Sequence, residues 1–148
     1  MMSGKEHLVL VRCSDGRIQV PKEFNHYVVH PISLPGGPIA PELFSITTDD
    51  GGKTSEVLHR SIDTMVAIKF PTRIVITAHS HCAAASFVGY NETQLEDACM
   101  RFALVVQKRF PHIRVTVFFD HHSECGQHRP HPPRFIDSKI NEGALSVV

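Results

Sequence analysis

Leu8-Val9-Leu10-Val11-Arg12-Cys13-Ser14-Asp15-Gly16-Arg17 couples a strand to a reactive turn. Leu8 to Arg12 is almost wholly apolar, and each apolar residue is valine or leucine, which suits a central strand of a parallel sheet buried on both faces. The strand ends at Cys13, and Asp15-Gly16 supplies turn chemistry. Arg73 to Ala78 (RIVITA) repeats the pattern and delivers His79, with Cys82 three residues further on. If the two strands are neighbours, two thiols and one imidazole converge. Two Cys and one His form a three-ligand zinc set with one coordination position open, the arrangement of a catalytic zinc site.

Working outward, His26 to Ile32 reads as a second strand, stopped by Pro31 and the Leu34-Pro35-Gly36-Gly37-Pro38 segment. From there to Lys53 the chain is rich in Pro, Gly, Asp and Thr, which predicts a long loop with one turn around Glu42 to Phe44. Leu58, Ile62, Met65, Val66 and Lys69 recur at helical spacing, so a helix is expected over Thr54–Phe70, with Thr54 as its N-cap and Pro71 after its end. A short helix over Cys82–Val88 is closed by Gly89. Asn91 and Gln94 form a capping-box signature for a helix running to about Phe110, with Cys99 on its apolar stripe. Ile113 to Phe119 (IRVTVFF) is the last strand. Strands alternating with helices imply βαβ crossovers and an α/β fold, a single domain with a central, mostly parallel sheet flanked by helices.

The chain has 148 residues, 42% apolar and 20% charged, as expected of one soluble domain over residues 1–148, with 120–148 as loop or arm. Fifteen basic residues balance fifteen acidic ones, so no nucleic-acid or membrane-surface partner is expected. Met1 to His7 lacks the features of a signal peptide and no later run approaches membrane-spanning length, which predicts a cytoplasmic location. In that reducing compartment the four cysteines read as thiols or metal ligands rather than disulfides.

Ligand sites in open α/β sheets lie outside the carboxyl ends of strands, where Cys13 and His79 fall. Arg17 can hold the Asp15 carboxylate by paired hydrogen bonds and keep it ionised. So held, Asp15 orients and takes a proton from the nucleophilic water; released, it can ligate the metal and close the site.

CSDGR and HSHC, in this order and after two apolar strands, resemble the C-x-D-x-R and H-x-x-C motifs of the β-class carbonic anhydrases over roughly residues 8 to 126. The resemblance implies one Zn2+ per chain on Cys13, His79 and Cys82, a catalytic dyad of Asp15 and Arg17, and a doubly wound sheet. It also implies a homodimer or higher homo-oligomer that hydrates CO2 to bicarbonate reversibly. Relatives act on carbonyl sulfide or carbon disulfide at the same metal site. A zinc-binding sensor or interaction module without catalysis is the alternative from another class. The chain departs from the family at Ala78 and Ala83, where glycine is usual, at Gly16, where serine is common, and across His30 to Gly37.

Other residues carry plainer readings. Cys99 belongs to the core, and His81 to the surface or to packing. The cluster of His121, His122, Cys125, His128 and His131 matches no zinc spacing and reads as a solvated tail. Pro35 to Pro38 either lines a pocket or forms a plain turn.

Overall fold

The structure is a computed structural model that describes residues 4–15, 20, 22–120 and 134–135. Strand β1 (His7–Cys13) is followed by a 3-10 turn at Lys22–Phe24 and by β2 (Val28–Leu34). A second 3-10 turn (Gly37–Ile39) runs into α1 (Ala40–Thr47) and then α2 (Gly51–Lys69). Strand β3 (Arg73–His79), helices α3 (Ala83–Phe87) and α4 (Glu92–Arg109), β4 (Arg114–Asp120) and the short β5 (Arg134–Phe135) complete the order. The sheet order is β2-β1-β3-β4-β5; β2, β1, β3 and β4 run parallel, and β5 pairs antiparallel with β4.

The near-continuous apolar run of β1 has its predicted consequence. Leu8, Val9, Leu10 and Val11 are all buried, because β1 has a strand on each side and side chains on both faces. On one face Val9 and Val11 join Ile74, Ile76, Val115, Val117 and Phe119, under Leu58 and Ile62 of α2 and Leu95, Ala98, Cys99 and Val106 of α4. Cys99 is thus core. On the other face Leu8, Leu10, Val75 and Phe118 meet Phe24. The Phe24 ring lies edge-on to Phe118, and the Arg73 guanidinium sits 5.0 Å from its centre. A doubly wound sheet has helices on both faces; among the described residues α2 and α4 share one face. On the other, the described part of the β1–β2 connection contributes Phe24 of the Lys22–Phe24 turn, with Tyr27 beside it.

Two segments differ from their expected course. Strand β2 continues through Pro31 to Leu34, because it is an edge strand among the described residues, where proline's missing N–H can face outward. The segment expected as a loop to Lys53 is largely helical. Pro38 and Pro41 stand in the first turns of the second 3-10 turn and of α1, where proline's missing N–H costs no bond. Gly51 is the close contact between α2 and α1: a Cβ there would collide with Ser45 and the Pro41 carbonyl. Helix α2 therefore starts at Gly51, three residues before Thr54, whose hydroxyl donates to the Asp50 carbonyl (3.1 Å) from inside the helix instead of capping it.

The capping box of α4 forms as expected. The Asn91 side chain accepts from the Gln94 N–H (2.8 Å), and the Gln94 side chain accepts from the Asn91 N–H (2.9 Å). At the other end Gln107 ties α4 to β4, donating to the carbonyls of Phe110 and Ile113 and accepting from the Val115 N–H. Among the described residues no helix is long and apolar enough to cross a membrane.

At the start of β1 and β2, His7 Nδ1 lies 2.8 Å from His30 Nε2. The rings are nearly parallel (5°) with centres 5.1 Å apart, a separation that exceeds the N–N distance by about the two ring radii. This is an in-plane N–H···N hydrogen bond, which requires one ring to keep a lone pair. Burial holds His30 below its ordinary pKa, and the neighbouring His7 and Lys69, at the end of α2, act in the same direction. The unfolded chain then binds the proton more readily, so this stability is present above about pH 6.5 and is lost as pH falls through the folded-state value. Urea unfolding at a series of pH values should show a midpoint that drops on acidification, and the drop should be smaller in His30→Gln. An identical pH dependence in the variant would contradict the assignment.

Candidate metal centre

Parallel strands end on the same edge of a sheet, so pairing β1 with β3 brings Cys13 and His79 side by side. Cys82 closes the group from the N-cap position of α3. The chain leaves β1 toward β2 and leaves β3 toward β4, on opposite sides, so the site lies in the gap where the connections diverge. The ligand atoms of Cys13, His79 and Cys82 all lie within 4.8 Å of one another and could hold a metal ion. All three residues are buried: Cys13 is 9% exposed, Cys82 6% and His79 2%.

The hydrogen bonds around them set the chemistry. His79 Nδ1 lies 2.8 Å from the Ser80 carbonyl, which can only accept, so Nδ1 carries a proton and Nε2 is the atom left to face Cys13 or a metal. Cys13 Sγ accepts the Gly36 N–H at 3.3 Å. The Cys13 thiol is held well below its ordinary range by the hydrogen bond from Cys82 first, then by His79 and the main-chain N–H groups of Asp15 and Gly36, against the opposing effect of burial. Cys82 is pushed up, because Cys13 takes the negative charge and burial disfavours a second one. Burial would lower His79, but its bonds to Cys13 and Ser80 outweigh it and raise the ring. Without a metal, the three groups share protons around one thiolate; a dication can replace those protons.

The segment Pro35–Pro38, open between pocket lining and a plain turn on composition alone, packs against the metal-binding group. Gly36 and Gly37 have φ of +83° and +57°. A Cβ on Gly37 would lie 2.8 Å from the Arg12 carbonyl carbon and from the Cys13 nitrogen, main-chain atoms that cannot turn aside. The doubled glycine lets the β2 exit approach the end of β1 closely enough to place an N–H on the cysteine sulfur.

Asp15 is half-buried just beyond β1, and its charge is one of the influences that raise His79. Arg17 lies outside the described residues, as do His121, His122, Cys125, His128 and His131. His81 is exposed, with a left-handed φ of +54°. Two contributors escaped the sequence reading. Gly36 acts through its backbone, which leaves no side-chain signal. Asp120, 4% exposed at the end of β4, sits opposite His79 in the ladder, and its carbonyl accepts the Ser80 N–H (3.0 Å). Its signal was an acidic residue directly after the apolar Val117-Phe118-Phe119 run. A cavity of about 130 Å³ adjoins His79 and Cys82, lined also by Ser80, His81, Ser86 and Tyr90.

No family model matches the chain, and no curated protein sequence matches it. Solved structures do. The β-carbonic anhydrase CcaA superposes with a TM-score of 0.50 at 12% identity, over 93% of this chain and 82% of that one. The β-carbonic anhydrase CafA of Aspergillus fumigatus gives 0.47 at 12% identity (97% and 83% covered). A tetrameric β-carbonic anhydrase of Sordaria macrospora gives 0.48 at 12% identity (90% and 82%). The sheet and its flanking helices have the β-carbonic anhydrase type of fold.

Proposed function

We propose that the protein is a zinc lyase that hydrates CO2 reversibly to bicarbonate. The observation that carries this reading is the convergence of Cys13, His79 and Cys82, buried and within 4.8 Å of one another, at the divergence of β1 and β3. Two sulfurs and one imidazole nitrogen suit zinc, and three protein ligands leave one tetrahedral position for chemistry. The N–H donors on Cys13 and the Nδ1 bond of His79 orient the donors before metal enters.

Zinc, when bound, supplies a Lewis acid that makes water nucleophilic near neutral pH. The chain's residues do the rest. Asp15, just past Cys13, accepts a proton from the attacking water on its carboxylate, and Arg17 holds that carboxylate ionised. Oxygen adds to the carbon of CO2, and the released proton passes to solvent through Asp15. The adjoining cavity beside His79 and Cys82 is small, about 130 Å³, in keeping with a small substrate.

Purified protein should carry one zinc per chain, and Cys13→Ser should lose most of it by elemental analysis. Asp15→Asn should keep its zinc and lose about a hundredfold or more in stopped-flow CO2 hydration. Full zinc occupancy without hydration at any pH would instead identify a zinc-binding module, and hydrolysis of carbonyl sulfide in place of CO2 hydration would change the substrate.

The assembly proposed with this function is a homodimer or larger. Its support is the outer side of β2, where Pro31, Ile32, Val57 and Met65 line an open groove beside a second one containing Leu34 and Phe44. Val57 is 58% exposed there. Analytical ultracentrifugation should give at least twice the chain mass, with Val57→Glu shifting the population toward monomer; a monomeric parent would refute this.

A further inference from the structure

Arg12 precedes the first proposed zinc ligand, but its side chain leaves β1 on the opposite face, since successive residues of a strand alternate. Its half-buried guanidinium then reaches back to the turn. Nε donates to the Cys13 carbonyl at 3.2 Å, and Nη2 donates to the Asp15 carbonyl at 3.4 Å.

Backbone geometry explains why these two carbonyls are within reach. The Ser14 N–H is taken by the Leu34 carbonyl (3.0 Å) on the β2 side. In a trans peptide the carbonyl of the same unit points the opposite way, so the Cys13 oxygen is turned away from β2. The Asp15 N–H lies on the Cys13 sulfur, while its carbonyl is held by Arg12. The backbone of Asp15 is thereby fixed at both ends, by the sulfur and by the guanidinium. Only a planar fork can reach two carbonyls in this manner; an ammonium is a point donor on a flexible stem.

We propose that Arg12 is a positioning residue of the metal centre: by gripping the carbonyls of Cys13 and Asp15 from the far face of the sheet, it holds the Asp15 N–H on the Cys13 sulfur and aims the Asp15 carboxylate. The proposal rests on the zinc reading above. It makes the Cys13–Asp15 turn a braced element, with Gly36 supplying the second N–H from the β2 side. Loss of the fork lets the turn relax, and the sulfur loses one of its two main-chain donors.

The test compares parent, Arg12→Lys and Arg12→Met by chelator competition for zinc and by absorption of the cobalt(II)-substituted proteins. Arg12→Met should bind zinc about 10- to 100-fold more weakly, as expected when a partner of a metal ligand is lost, and its thiolate-to-cobalt bands should move. Arg12→Lys keeps the charge and should fall between the two, which separates loss of the fork from loss of a cation and provides a folded variant should the methionine chain fail to fold. A purely structural role would lower the melting temperature of the variants while leaving zinc affinity within about twofold and the cobalt spectra superimposable, and that result overturns the proposal. A parent that takes up neither metal removes the zinc reading itself, and the proposal with it; a parent that binds both with unaltered variants removes Arg12 alone.

Discussion

The placement of β1 between β2 and β3 is the constraint on which the site depends. Four consecutive buried aliphatic residues, Leu8 to Val11, need cover on both faces and a strand on each side. Once β1 is internal, its carboxyl end lies next to that of β3, so Cys13 meets His79 without any special loop. The divergence of the two connections leaves room in front of them. Packing on the sheet thus locates the chemistry, and loss of the β1–β3 pairing would separate the ligands.

The polar arrangement at that edge follows from burial. A thiolate in a low-dielectric setting needs donors, and beside Cys82 and His79 these include main-chain N–H groups of the turn after β1 and of the β2 exit. The steric gap for those donors exists because Gly37 has no Cβ to strike the backbone of Arg12 and Cys13. The Ser80 carbonyl performs the matching task for His79 by accepting the Nδ1–H hydrogen bond. Each of the two ligands that start the site is oriented by backbone, which moves little, and not by long side chains with rotamer freedom to lose.

Much of this was legible from residues. The apolar runs of β1, β3 and β4, the Asn91/Gln94 capping box and the order of the CSDGR and HSHC motifs all report local chemistry that survives into the fold. Other features were hidden for physical reasons. Whether a strand can carry Pro31 depends on its being at an edge, a tertiary property. Pro38, Pro41 and Gly51 read as loop residues, yet prolines at helix starts and a glycine at a close helix contact are compatible with helix. The role of Gly36 is carried by a backbone N–H, and the part played by Arg12 requires knowing which way two carbonyls point. Asp120 gained meaning only when β4 was laid beside β3.

Zinc K-edge X-ray absorption on the purified protein tests the central claim most directly. The account predicts two sulfur scatterers at about 2.3 Å and two nitrogen or oxygen scatterers at about 2.0 Å, one of the latter from His79. A zinc shell made only of nitrogen and oxygen would contradict it, because Cys13 and Cys82 would then not be ligands.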